Sequence, residues 1–461
     1  MRKQPRHGAG GEAHAFLGRL RAPCRVRRAA ALLVLLAACD RATPLMERLA
    51  PETPHEGYAE RLRDAGLDAT ALGRAWLAAA DSAVAHPVPV ELPFRTAGYF
   101  AGDEARAVAL AVRLRHGQRL VAEVARQGDS TAMLFVDLFV VPRDTLDDLE
   151  RVASADSTLA PLEVTARRDA VYVLRLQPEL LRGLRYEVTL RATASLAVFP
   201  VAGRSTSAVR SGFGAARDGG AREHHGIDIF APRGTPALAA TDGYVRSTTP
   251  SRLGGNLVWL RDDHARQSLY YAHLDTVLVV PGQRVRAGDT LGLVGNTGNA
   301  RTTPPHLHFG IYARGPVDPF PFVYVPRARP REITATLAAL GEGRRTASRA
   351  SFRAALDDDT GARLEVGTPL RVLGAAGASY FVRLPDGRAG WVSARATEPL
   401  DGALRRRQLA AGTVLRAAPR VAAVVVDSLA APREAVVVGR FGGFALVREG
   451  ERTGWVLETG E

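Results

Sequence analysis

Apolar and polar positions divide the chain into a short helical part and a long run of strands. From Tyr58 to Ala85 apolar residues recur at helical spacing, with Leu62, Leu67, Leu72, Trp76 and Leu77 as anchors. From Val90 to about Pro200 the period shortens to two. The runs Val108–Leu114, Leu120–Val124, Met133–Phe139, Tyr172–Leu176 and Tyr186–Leu190 read as short strands. Together they predict a β-sandwich over 90–202, preceded by a tether and helical segment over 39–89. A third strand-rich block spans 203–325. A stretch rich in Arg, Ala and Gly, 326–351, reads as a linker. The tail then repeats itself: Val366–Gly374 and Phe381–Leu384 close on Gly390-Trp391-Val392, and Ala435–Gly439 and Ala445–Arg448 close on Gly454-Trp455-Val456. Two small β-barrels, 352–400 and 401–461, each with a tryptophan in or beside its core, are the expectation. The predicted fold class is therefore mainly β.

The 90–202 segment resembles jelly-roll domains found beside secreted bacterial peptidases, and it holds no cluster of catalytic residue types. The two Gly-Trp-Val units resemble bacterial SH3-like domains, which implies either binding of wall peptides or a structural role.

Hydrophobic residues make up 46% and charged residues 24% of 461, a composition able to build several cores. The net charge is +13. Eight basic residues against Glu12 place +7 of it within residues 1–38. The mildly basic remainder suits an anionic polymer, a nucleic acid or a membrane surface equally, but no Arg/aromatic interleaving or nucleic-acid motif accompanies it, so nucleic acid is not an expected partner.

The front of the chain explains its two cysteines, Cys24 and Cys39. A basic run, Arg25-Val26-Arg27-Arg28, precedes the apolar stretch Ala29–Ala38, and Cys39 follows. That is the layout of a secretory signal over 1–38. About ten apolar residues fall short of the roughly twenty that span a bilayer. Leu36-Ala37-Ala38-Cys39 resembles the lipobox of bacterial lipoproteins, which implies lipidation at Cys39 and a protein anchored to a membrane in the cell envelope, facing the periplasm or otherwise extracytoplasmic.

The candidate chemistry lies further in. Six of the 11 histidines fall between positions 224 and 308. Three strings hold the informative ones: Glu223-His224-His225-Gly226-Ile227-Asp228, Tyr270-Tyr271-Ala272-His273-Leu274 and Pro304-Pro305-His306-Leu307-His308-Phe309. In a strand, His306 and His308 point to one face while Leu307 and Phe309 point to the other. His224 and Asp228 also share a face, but an ideal strand holds them ~13 Å apart. The chain must bend between them to share a metal, and Gly226 is placed to allow a bulge or close approach. Catalytic zinc takes three protein ligands of imidazole and carboxylate type and keeps a fourth position open. His224, Asp228 and one histidine of the 306/308 pair meet that count, leaving the others for proton transfer. His225 reads as a bystander on the opposite face, and His264 as part of a solvated turn. Tyr271 either lines the groove or packs.

These strings, in this order, resemble the LytM/lysostaphin family of zinc metallopeptidases. Ser211-Gly212-Phe213-Gly214, Gly234–Ala240, Asp242–Val245, Val285–Gly292 and Gly295–Gly298 fit the same pattern. The resemblance implies zinc held by His224, Asp228 and His308, with His273 and His306 in catalysis. It implies hydrolysis of the cross-links or stem peptides of peptidoglycan, with envelope division or wall-remodelling proteins as further partners. The alternative is a non-catalytic relative that binds wall and activates another hydrolase; the complete set of five site residues argues against it. A biotinyl or lipoyl carrier reading fails for want of a lysine in this block.

Overall fold

The computed structural model describes residues 53–458, apart from 129–130, 142–148 and 359. The signal over 1–38 and Cys39 lie outside the described residues. Among those described, no helix is long and apolar enough to cross a membrane.

The helical segment is two helices, Pro54–Asp64 and Ala71–Ala85. Gly66, at φ 66°, ends the first, and the Thr70 hydroxyl caps the second by accepting from the Gly73 N–H at 3.0 Å. Leu67 falls in the turn between them and is 43% exposed, so it is not the anchor its spacing suggested. Trp76 is: it is 1% exposed, packs against Phe135 and donates its indole N–H to the Pro178 carbonyl at 2.8 Å.

The strands of 90–202 form two facing sheets around one core. One sheet runs in the order Val88–Pro89, Val108–Leu114, Ala170–Pro178, Leu134–Val140, Glu150–Ser154. The other contains Phe94–Phe100, Leu184–Ala194, Gln118–Gln127 and Leu162–Thr165. Alternate residues of both, such as Leu110, Val112, Leu120, Leu174, Val188 and Leu190, are buried between them.

That second sheet does not end with these strands. Pro369–Ala376 pairs with Gly343–Thr346 along its first half and with Phe94–Phe100 along its second, through Ala97↔Ala375 and Gly98↔Gly374. Ser379–Arg383 and Ala389–Ser393 extend the sheet further. The stretch 326–351, expected as a linker, therefore contributes two strands, Gly343–Thr346 and Ala350–Phe352. The first tail unit is not closed on itself: Trp391 lies in the sandwich core, 6.4 Å edge-on from Phe94. The second tail unit is a separate six-stranded sheet with its own core of Leu409, Leu415, Val437, Val447 and Val456.

The central block is a ten-stranded sheet. Its main path runs Val209–Ser211, Ile227–Phe230, His306–Tyr312, Gln267–Val277, Asn256–Asp262, Gly243–Ser247, Arg284–Val285. Ile227, Ile229, Leu307, Phe309, Leu269, Tyr271 and Leu260 fill the core on one face. The same alternation leaves the opposite face free to carry polar side chains. The short helix Phe320–Val323 docks this block onto the sandwich: Leu196 N–H donates to the Phe322 carbonyl at 3.1 Å, and the Phe322 ring fills the space over Gly117.

Candidate metal centre

The centre is built by cross-strand register. Asp228 sits directly opposite His308, and Phe230 opposite His306. With Ile227, Ile229, Leu307 and Phe309 turned into the core, all four of those side chains emerge on the other face, as the alternation of His306, Leu307 and His308 predicts. His224 arrives from outside the strand, at the end of the hairpin Ala216–Arg217/Arg222–Glu223. The bend at Gly226 brings it in. A Cβ on Gly226 would meet the Phe309 carbonyl at 2.6 Å and the His308 ring at 2.7 Å, so only glycine permits the approach.

Three ligand-type atoms converge. His224 Nε2 lies 2.9 Å from His308 Nδ1 and 3.0 Å from Asp228 Oδ1, and His308 Nδ1 lies 3.1 Å from that same oxygen. His224 Nδ1 donates to the Gly212 carbonyl at 2.8 Å. A carbonyl only accepts, so in the neutral ring Nε2 is a bare lone pair aimed at a carboxylate. One proton on His308 cannot satisfy all three edges of this triangle. A cation can, and the donor set of two imidazoles and one carboxylate is the one catalytic zinc takes.

The second carboxylate oxygen is held apart. Arg217 Nη2 donates to Asp228 Oδ2 at 2.8 Å and to Ser211 Oγ at 2.5 Å, which leaves Oδ1 alone to face the triangle. Burial pushes the Asp228 carboxyl up, but His224 and His308, when protonated, donate to it and carry charge beside it, which outweighs burial and holds the group well below the ordinary carboxylate range. Burial pushes His308 down, with Asp228 opposing.

His306 and His273 stand beside the triangle without closing it. His306 Nε2 is 3.9 Å from Asp228 Oδ1, its Nδ1 donates to the Pro304 carbonyl at 2.9 Å, and Phe230 stacks on it with ring centroids 5.0 Å apart. His273 Nδ1 donates to the Thr297 carbonyl at 2.9 Å, and its ring lies 5.1 Å from that of His306. Burial, then the neighbouring His308 and His306 charges, push His273 down to about 4, so it is neutral at pH 7.

Regular alternation does not deliver His273. Leu269 and Tyr271 face the core, while Tyr270 and Ala272 line the cleft. The next residue inward would be His273. Instead Ala272 and His273 together oppose Leu257, because the pairing steps from Val258↔Tyr271 to Asn256↔Leu274. This bulge holds His273 at φ 63° and resets the phase, so Leu274 goes into the core and the imidazole into the cleft.

The whole centre lines a cavity of about 710 Å³, walled on one side by Trp259, Tyr270 and Tyr312. Tyr271 packs; its hydroxyl accepts the Ala240 N–H at 2.9 Å. His225 and His264 are exposed, and neither reaches the triangle. Arg217 was not singled out from sequence, since its contact depends on a hairpin that brings position 217 back over position 228.

Residues 222–319 match the profile of peptidase family M23. The central domain belongs to that family. Among similar proteins, the peptidoglycan DD-endopeptidase ShyC of Vibrio cholerae is 40% identical over 94 residues, 20% of this chain and 21% of that one. The DD-carboxypeptidase/endopeptidase Mpg of Neisseria meningitidis is 44% identical over 101 residues, 21% and 22% of the two chains. An L-Ala–D-Glu endopeptidase of Bacillus subtilis is 38% identical over 122 residues, 25% and 37%. The chain thus spans about a fifth of the first two relatives and 37% of the third. The catalytic domain of lysostaphin from Staphylococcus simulans is 32% identical, with 25% of this chain and 90% of that one covered and a TM-score of 0.23. The M23 match contains His224, Asp228, His273, His306 and His308; Ser211, Gly212 and Arg217, which hold two of them, lie just before it.

Proposed function

We propose that this chain is an exported zinc metalloendopeptidase that hydrolyses peptide bonds of peptidoglycan, in its cross-links or its stem peptides. One observation carries the reading: a three-atom ligand triangle and two further imidazoles, each with its Nδ1 on a backbone carbonyl, share one cleft. His224, Asp228 and His308 would hold the zinc. When bound, the ion would polarise the scissile carbonyl and lower the pKa of a water beside it toward ~7. Arg217 and the Gly212 carbonyl keep the ligands turned toward it.

His306 and His273 do the proton work in this reading. Each has its Nδ1 proton committed to a backbone carbonyl, so each neutral ring offers Nε2 as a base. One accepts the proton of the attacking water and returns it to the leaving amine; the other steadies the oxyanion. The names of the relatives support peptidoglycan as the substrate, and the complete five-residue set supports catalysis over a purely regulatory role. The basic run, the apolar stretch Ala29–Ala38 and the Leu36-Ala37-Ala38-Cys39 ending support export and lipid attachment at Cys39. Digestion of purified peptidoglycan with and without zinc, read by product masses, tests the activity and identifies the bond. Absence of zinc-dependent release of peptides would overturn it.

A further inference from the structure

The cleft has two unlike ends. The strands Val209–Ser211, Ile227–Phe230, His306–Tyr312, Gln267–Val277 and Asn256–Asp262 lie side by side, and side chains on one face of them line the cleft. At about 4.8 Å per strand, the first is about 19 Å from the last. At the far end Trp259 stands 4.5 Å from Tyr270 and 5.0 Å from Tyr312, an aromatic shelf. At the edge-strand end, behind Phe230, lies a second cavity of about 370 Å³, lined by Arg204, Ser205, Ser207, Arg210 and Phe230 among others. Phe230 borders both cavities and stacks on His306, so the second begins one ring away from a catalytic imidazole.

Arg210 is there because the edge strand is irregular. Val209 pairs with Ile229 and Ser211 with Asp228, so Arg210 is the extra residue of a bulge, a feature that re-aims side chains beside active sites. Arg217 nearby is already engaged by Asp228 and Ser211. By contrast, neither Arg204 nor Arg210 makes a side-chain ion pair or hydrogen bond among the described residues. Two guanidinium groups lining one cavity favour an anion between them, and their forked donors match a carboxylate. The hydroxyls of Ser205 and Ser207, 3.0 Å apart, add further donors.

We propose that Arg204 and Arg210 form a carboxylate-binding subsite for the peptide substrate. The substrate crosses the strands, passes over Phe230 and presents its scissile bond to His306 and the metal centre. Two strand spacings, about 10 Å, correspond to about three extended residues, so the bound carboxylate lies within that distance of the scissile bond. An acidic stem peptide has such a group. The interior of a bridge made only of glycine does not. The proposal deepens the peptidoglycan reading and rests on it for the identity of the reaction, but not for binding.

The test is equilibrium binding to the full zinc-loaded chain. The probes are a stem tripeptide of L-alanine, D-glutamate and diaminopimelate and the same peptide with its carboxylates amidated. The expected result is a preference for the carboxylate form on the order of tenfold, the worth of one charge-assisted contact in a partly solvated site. The double variant R204Q/R210Q should lose that preference, with zinc content and melting temperature unchanged because both side chains are exposed. The single variant R210Q should lose part of it. Equal binding of the two peptides, binding of neither, or a preference that survives in the double variant would overturn the subsite. If the preference follows the arginines while wall digestion fails, the subsite stands and the endopeptidase reading falls. If the wall is digested without any such preference, the endopeptidase reading stands and the subsite falls.

Discussion

The central sheet and the first tail unit are both made of short strands with simple alternation, yet they close in opposite ways. In the central block the strands hydrogen-bond to one another, and the buried cluster draws only on residues 196–323. In the tail unit Pro369–Ala376 bonds to Phe94–Phe100, and Trp391 fills the core of a sandwich begun some 300 residues earlier. The second Gly-Trp-Val repeat differs again. Trp455 packs beside its own sheet, against Val438, Phe444 and Leu446. Likeness of sequence between the repeats therefore does not make them equivalent units. What defines a unit is where its ladder bonds and its largest aromatic side chain go. A change in one closed region should leave the other intact.

The largest test of that separation falls within the central sheet. His273→Gly removes an imidazole and relieves the left-handed backbone at φ 63°. The rate of wall cleavage should drop by about 10²–10⁴, as for loss of an acid–base group. Stability should hold or rise, since such a conformation costs a non-glycine residue about 1–3 kcal/mol. A melt lower than that of the native chain would show that the bulge is not strained.

Trp391→Ala should cost about 3–5 kcal/mol of stability through the cavity it leaves between the sandwich and the tail. The sandwich should become susceptible to proteolysis while zinc content stays unchanged. Trp455→Ala should loosen the last module alone. Limited proteolysis with mass mapping separates the two, and identical fragment patterns would show that the two repeats are equivalent units. Among the described residues the buried Trp391 indole N–H has no hydrogen-bond partner, so Trp391→Phe should cost much less than the alanine change.

The smallest effect is on the helices. His55 is buried, stacks on Trp76 at 4.9 Å and lies 2.8 Å from Gln177 Oε1. Burial, with the Arg175 charge next, pushes its imidazole down. The folded value then lies below the unfolded one, so the unfolded chain takes the proton first. Stability should fall as pH drops below the ordinary imidazole value of about 6.5 toward the folded value, and this contribution should level off beneath it. Thermal melts of native and His55→Phe chains across that window should diverge in slope, with the variant flatter. Parallel slopes would show that folding does not hold this imidazole below its unfolded value.

Sequence patterns with one residue per step were legible, and those that depend on a change of step were not. His306, Leu307 and His308 declared their faces through period-two alternation, and Gly226 marked the bend that His224 needs. The phase break at Ala272–His273 was hidden, although Leu274 following Tyr271 by three positions, both in the core, is its trace. Arg217 and the Gly212 carbonyl left no such trace because a hairpin, rather than spacing, brings them to Asp228 and His224. The strands inside 326–351 were masked by a composition of Arg, Ala and Gly that looks like a linker. Gly343–Thr346 pairs with Pro369–Ala376 and Thr397–Pro399, outside that stretch, and pairing with distant strands leaves little local signal.

We propose that His224, Asp228 and His308 hold zinc while His306 does not. His306 and His308 share one strand face with only Leu307 between them, so each controls for misfolding in the other. The decisive measurement is zinc content by elemental analysis of purified His308→Ala and His306→Ala chains, with wall-cleavage rate recorded alongside. His308→Ala should lose the metal, because a three-ligand site cannot spare a nitrogen. His306→Ala should keep the metal and lose about 10²–10⁴ in rate. Zinc retained by His308→Ala and lost from His306→Ala would contradict the assignment.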